Sequence, residues 1–258
     1  MSYETIDIRE CHDGAVCEIV LNTPPANILT AKMMAEIDAQ LTLEIANTAR
    51  KLIVFSGEGK HFSFGASVEE HTADKVGDML PAFHSLMGNI LAHPVPTMAR
   101  VSGQCLGGGF ELALVCSFIM ADEGAKFAVP EIQLGVFPPV AALLIPRIAG
   151  SLLAADMVLT GSAKTATELK QAGLVTKLST KGELDSDIEA FIEKQILPKS
   201  ASSLRFAHSA TRMDLSTFYN ENIGALEALY LNELMSSTDA NEGIGAFIEK
   251  RQVEWKNA

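Results

Sequence analysis

Gly103-Gln104-Cys105-Leu106-Gly107-Gly108-Gly109-Phe110-Glu111 is the stretch whose reading decides the fold. Its three consecutive glycines follow an extended apolar run over residues 94–101 and open into an apolar, helix-like segment over 110–116. A strand that ends in glycines and passes into a helix offers bare N–H groups at a positive helix terminus. That arrangement stabilises an oxyanion, and only glycine lets a ligand come so close to the backbone. Glu111 sits in the first turn, near whatever the glycines hold. Read alone, the stretch is equally well a tight turn followed by an ordinary helix-starting glutamate.

Two more segments share this character. Gly59-Lys60-His61-Phe62-Ser63-Phe64-Gly65-Ala66-Ser67 follows a short buried strand expected over 52–55, and its Gly65-Ala66-Ser67 again permits close backbone approach. A lone turn of this kind has a structural explanation. Two of them can present N–H groups from different places to a single carbonyl oxygen, which is what an oxyanion hole requires. In Lys126-Phe127-Ala128-Val129-Pro130-Glu131-Ile132-Gln133-Leu134-Gly135, Glu131 is flanked by apolar residues. That setting is costly for a carboxylate unless it is paired or used, although a plain loop glutamate fits this segment by itself.

Working outward, residues 5–9 and 15–21 read as paired strands around His12-Asp13-Gly14, and Thr30 caps a helix running to about 49. A helix is expected over 76–92, strands over 118–121 and 126–129, helices over 140–150, 152–159 and 165–172, and a strand over 174–178. After Gly182 the strand signals stop, and 183–197, 201–213, 216–235 and 243–255 read as helices. In the third, Ile223, Leu226, Leu229, Tyr230 and Leu234 share one face. No exact repeat exists, yet short strand, short strand, helix recurs. That recurrence suits a right-handed spiral of ββα turns better than one doubly wound sheet.

The 258 residues, 48% hydrophobic, can bury a large core as one domain or as one domain with an extension. A net charge of −12 argues against nucleic-acid binding, which needs a basic surface, and against an anionic membrane. Cys11, Cys17, Cys105 and Cys116 show no C-x-x-C spacing and are expected as buried, reduced thiols. No apolar run approaches the roughly 20 residues of a membrane span, and the N-terminus lacks a signal-like apolar stretch, so a soluble cytoplasmic protein is expected. The glycines do not form a dinucleotide or phosphate-loop pattern, the six histidines lack metal-ligand spacing, and no nucleophile elbow occurs. No metal site is expected.

Taken together, these segments resemble the crotonase superfamily, the enoyl-CoA hydratase/isomerase family, over almost the whole chain. The resemblance rests on Leu21-Asn22-Thr23-Pro24-Pro25-Ala26-Asn27-Ile28-Leu29, residues 62–66, 107–111 and 130–135, and Phe247-Ile248-Glu249-Lys250-Arg251, in order and at matching spacing. It implies an α/β fold: a spiral of ββα repeats over residues 1–197 carrying the acyl-CoA site, and a C-terminal helical trimerisation region over 198–258. By position it places two oxyanion N–H groups on Ala66 and Gly108, holding the thioester carbonyl of an acyl-CoA. The hydratases' two catalytic glutamates match Glu111, as base on water, and Glu131, as acid. Ala26, Asn27, Ile28, Phe64, Gly65, Gly107 and Pro138 would line the CoA and acyl groove. Phe247 and Lys250 would reach a neighbouring subunit's nucleotide in a homotrimer or hexamer. No cofactor is implied beyond the coenzyme A of the substrate.

The sequence departs from that pattern at Ser67, where an aspartate is common, and at Val136-Phe137-Pro138-Pro139-Val140-Ala141-Ala142, which replaces a glycine-rich turn. Two prolines stiffen this segment and remove N–H donors. Here the chain is similar to hydratases acting on cyclic dienoyl-CoA thioesters, such as cyclohexa-1,5-diene-1-carbonyl-CoA, in anaerobic aromatic breakdown. Hydration is the leading expectation because both glutamates are present. A double-bond isomerase or acyl-CoA decarboxylase is the nearest rival, and a non-catalytic acyl-CoA-binding or RNA-binding member is the rival from another class.

Overall fold

A computed structural model describes residues 3–258. The strands are β1 (Ile6–Cys11), β2 (Val16–Leu21), β3 (Leu52–Gly57), β4 (Thr97–Val101), β5 (Gln104–Leu106), β6 (Phe118–Asp122), β7 (Lys126–Ala128), β8 (Lys164–Thr165) and β9 (Lys177–Ser179). The helices are α1 (Ala31–Ala46), α2 (Val76–Ala92), α3 (Gly108–Val115), α4 (Pro139–Ala149), α5 (Ser151–Thr160), α6 (Ala166–Gln171), α7 (Leu184–Phe191), α8 (Ala201–Ala228) and α9 (Thr238–Glu249).

A hairpin begins the main sheet, with β1 antiparallel to β2 and Ile6 opposite Leu21. His12, Asp13 and Gly14 all take positive φ to make its turn. Each later strand then joins in parallel, giving the order β1-β2-β3-β4-β6-β9. A second sheet, β5-β7-β8, stands beside it, and this division of successive strands between two sheets is the expected spiral. β5 and β8 are too short to announce themselves by alternation.

Both faces of the main sheet are covered, which is why its parallel strands read as nearly continuous apolar runs. Ile53 and Phe55 face a large core shared with α1 and α2, while Leu52 and Val54 face a smaller one capped by Leu184, Ile188 and Ile192. The C-terminal helices pack on the larger core, to which Tyr219, Tyr230, Ala240 and Ile244 all belong.

Three expectations need correction. The helices expected over 201–213 and 216–235 begin as one continuous α8, because neither Asp214 nor Leu215 interrupts the backbone ladder. Asp214 instead pairs with Arg147 outside it, at 2.5 Å. The last helix starts earlier, at Thr238 behind the Ser237 cap, and stops at Lys250 in a left-handed conformation. Residues beyond it fold back, where Asp239 and Glu242 accept the N–H groups of Lys256 and Glu254. Finally, Cys11 is exposed on the edge strand β1, while the other three thiols are buried. Among the described residues, no helix is long and apolar enough to cross a membrane.

Candidate active site

The two glycine turns meet. A Cβ placed on Gly65 would stand 2.9 Å from Leu106 O and 3.2 Å from Gly108 N, and one on Gly108 would stand 3.0 Å from Ala66 N. Side chains are therefore excluded where the two backbones converge. Leu29 N donates to Gly65 O and Ser67 N to Leu29 O, which holds the 64–67 segment extended. Among the described residues, neither Ala66 N–H nor Gly108 N–H donates to a protein acceptor. Both line one cavity of about 90 Å³. Gly108 is also the first residue of α3, so the positive end of that helix opens onto the same space.

Every residue of α3 is buried, as an apolar helix without a polar stripe must be. Glu111 is consequently carried into the interior. Its Oε1 accepts from Ala141 N at 2.9 Å, the first turn of α4 having Pro138 and Pro139 at its entry. The prolines have no N–H to offer, and the next donors along the chain, from Val140 and Ala141, point at this carboxylate. Burial pushes Glu111 up to about 7 despite those two N–H groups.

Glu131 arrives from a single tight turn, Pro130–Leu134, that follows β7 and is closed by Gly135 in the left-handed region. Gly107, at φ +50°, clears its path, since a Cβ there would stand 2.6 Å from Glu131 Oε1. Gly243 of α9 presses on the other side of this turn, against the backbone of Leu134. Glu131 Oε2 is buried and has no hydrogen-bond partner. Burial, and then the Glu111 charge, raise its pKa well above the ordinary carboxylate range. Two carboxyl groups thus share one apolar cavity, with no cationic side chain among the residues that line it.

Of the residues singled out in the sequence, Phe64, Gly65, Ala66, Gly107, Gly108, Glu111, Glu131 and Pro138 all line this cavity. Ala26, Asn27 and Ile28 do not. They run beside it, Ala26 O accepting from Phe64 N at 2.8 Å. Asn27 is fully buried, and its side chain clamps the 58–62 loop through Glu58 O, His61 O and Phe62 O. Phe247 is 57% exposed and Lys250 ends α9, both outside the cavity. The cavity also takes in Phe137, from the proline segment singled out in the sequence, and Tyr230, read there only as part of a helix face, together with His71, Leu80 and Phe83, which sequence reading left unassigned. Their spacing is that of ordinary core positions, so no local signal marks them. His84, one residue from Phe83, instead bonds Glu227 at 2.8 Å.

Among the described residues, no group of three potential metal-ligand side chains converges in this cavity. Elsewhere, ligand atoms of Glu10, Cys17 and Glu44 lie within 4.8 Å of one another. The Arg50 guanidinium already bonds both of those carboxylates.

Comparison with known proteins gives a consistent result. The profile of the enoyl-CoA hydratase/isomerase family matches residues 12–258. The chain is 40% identical over 245 residues to cyclohexa-1,5-dienecarbonyl-CoA hydratase of Thauera aromatica, covering 95% of this chain and 94% of that one. It is 36% identical over 260 residues to a probable enoyl-CoA hydratase of Rhizobium meliloti (strain 1021), covering the whole of both. Among solved structures, an enoyl-CoA hydratase/isomerase of Xanthobacter autotrophicus Py2 superposes with a TM-score of 0.85 at 26% identity, over 97% of this chain and 98% of that one.

Proposed function

The chain belongs to the enoyl-CoA hydratase/isomerase family, and from that membership we propose that it is a hydro-lyase adding water to an α,β-unsaturated acyl-CoA at this cavity. The observation that carries the reading is the pair of buried carboxyl groups facing two unused backbone N–H groups. The thioester oxygen accepts from Ala66 N–H and Gly108 N–H. Charge that develops on it as an enolate is held by those donors and by the positive end of α3.

Water then attacks the conjugated carbon. Its oxygen bonds to that carbon, its proton passes to the Glu111 carboxylate, and the π electrons move to the thioester oxygen. Glu131 delivers its proton to the enolate carbon and restores the thioester. The sum is H and OH across the double bond, and exchange between the two carboxyl groups and solvent resets the pair. The division of roles agrees with their surroundings. Glu111, held by two N–H groups, is the more readily ionised, and Glu131, with an unpartnered oxygen, keeps its proton.

For the acyl group we propose a cyclic dienoyl thioester of the cyclohexa-1,5-diene-1-carbonyl type. Pro138 and Pro139 form a rigid wall, and Leu80, Phe83 and Phe137 complete a narrow apolar space. A planar ring has little conformational entropy to lose there, unlike a flexible chain. Residues 26–28, beside the cavity, carry the pantetheine and adenine parts. Phe247, Lys250 and the exposed apolar residues Phe206 and Met213 belong to contacts between subunits of a trimer or hexamer.

Steady-state hydration of cyclohexa-1,5-diene-1-carbonyl-CoA and of crotonyl-CoA tests both levels. A higher kcat/KM is expected for the cyclic substrate. Preference for crotonyl-CoA overturns the acyl assignment and leaves the hydratase standing. Failure to hydrate any enoyl-CoA overturns the hydratase itself.

A further inference from the structure

The reaction as written leaves two polar side chains of this cavity unused, His71, whose Nδ1 already bonds Ser67 O at 2.7 Å, and Tyr230. Tyr230 lies in the helical turn Leu229–Glu233 that continues α8, in the region expected to serve assembly. Its ring is buried, 5.4 Å from that of Phe137, and both rings line the cavity that holds Glu111 and Glu131. The Tyr230 hydroxyl is buried with no hydrogen-bond partner, as is Glu131 Oε2.

The other buried tyrosine of this helical stretch behaves in the ordinary way. Tyr219 donates to His84 O at 2.8 Å. Leaving a buried hydroxyl unpaired costs about 1–3 kcal/mol, a cost that phenylalanine at the same place would avoid. The orphan phenol therefore has the character of a group awaiting a ligand atom. Burial, followed by the charges of Glu131 and Glu111, pushes its pKa up, so it remains a neutral donor throughout the working range.

What it can meet is limited by the chemistry of the substrate. An enoyl-CoA brings one acceptor into the acyl site, the thioester oxygen, and the converged Ala66 and Gly108 N–H groups are built for that atom. The rest of a hydrocarbon acyl group offers no acceptor. The remaining oxygen is the one that water supplies. We propose that the Tyr230 hydroxyl donates a hydrogen bond to this oxygen, on the attacking water before addition and on the new hydroxyl group of the product afterwards. Tyr230 is then a third polar contact of the hydration site, placed on the C-terminal helices rather than on the spiral. The inference rests on the hydratase reading.

The test uses Tyr230→Phe, which keeps the ring against Phe137 and removes only the hydroxyl. Binding of 3-hydroxybutyryl-CoA and of butyryl-CoA is measured by calorimetry in a Glu111→Gln background, where turnover is suppressed. Tyr230→Phe is expected to weaken the hydroxylated ligand about five- to tenfold and the saturated one less than about twofold. In the otherwise unaltered enzyme, hydration kcat should fall about tenfold with thermal stability unchanged or raised. Equal loss for both ligands assigns Tyr230 to packing and overturns the proposal, as does no loss for either. Failure of the underlying reading looks different: the unaltered enzyme then hydrates no enoyl-CoA, and the proposal falls with it.

Discussion

Two carboxylate clusters in this protein, one joining buried Glu44 to exposed Glu10 and one wholly buried, are treated in opposite ways. Near the hairpin, Arg50 is 2% exposed and gives five hydrogen bonds: two to Glu44, two to Glu10 and one to Gly14 O. These match the five N–H donors of a guanidinium, and Gln40 adds a further bond to Glu44 at 2.7 Å. In the cavity, Glu111 and Glu131 have no cation, and one oxygen has no partner at all. In the first cluster every donor of the guanidinium is satisfied. In the second, burial raises the pKa of both carboxyl groups and no lysine or arginine offsets it. The contrast supports the proposed roles: a buried carboxylate used in structure is expected to be paired, and one used in chemistry to be left needing something.

The largest expected effect breaks this contrast at the cavity. Glu111→Gln and Glu131→Gln should each lower kcat for hydration by about 10²–10⁴, the usual share of a positioned acid or base. Affinity for a saturated acyl-CoA should change by less than about threefold, because the carboxyl groups act mainly in the transition state. Near-wild-type turnover in either variant removes that residue from the mechanism.

At the other cluster the effect should fall on folding. Arg50→Met strands Glu44 in the interior and should cost about 3–5 kcal/mol of stability, read from denaturant midpoints. The kcat of the folded fraction should be unaltered. A variant as stable as wild type would show that the ion cluster does not support the fold.

The smallest effect concerns pH. With its pKa raised to about 7, folded Glu111 holds its proton more tightly than the unfolded chain does. Wild-type stability therefore falls as pH rises from the ordinary carboxylate range to about 7, where the folded group has ionised. Glu111→Gln does not titrate, so its stability relative to wild type should improve across that window by about 1–3 kcal/mol. A difference independent of pH between 4 and 8, on about that scale, would mean that burial does not govern this carboxyl group. In its proposed role as base, the same group should make kcat/KM fall when the pH drops below about 7, which a pH–rate profile checks.

Much of the site was readable because its requirements are local. Gly107 must be glycine for its positive φ and for the approach of Glu131, and Gly65 because Leu106 and Gly108 crowd it. Those demands leave glycines at fixed offsets from a strand end, with Glu111 four residues after Gly107, while Glu131 stands three residues past the end of β7. The Thr30 cap, the hairpin turn and the full extent of α2 were likewise legible, each set by residues within a turn or two. The α8 junction was not, because a lone polar residue such as Asp214 between Met213 and Leu215 suits a break and a solvent-facing helix position equally well.

By itself, then, the sequence determined the two glycine turns, the two carboxylates, the alternation of strands and helices, and through them the family. Only the tertiary structure decided which apolar residues become walls. Phe83 and Tyr230 stand 147 positions apart, and no periodicity distinguishes a helix face that meets a core from one that meets a cavity. It also decided the state of the carboxyl groups. A pKa depends on what surrounds the group in space, and here the surroundings come from α3, α4, the 130–134 turn and the C-terminal helices together.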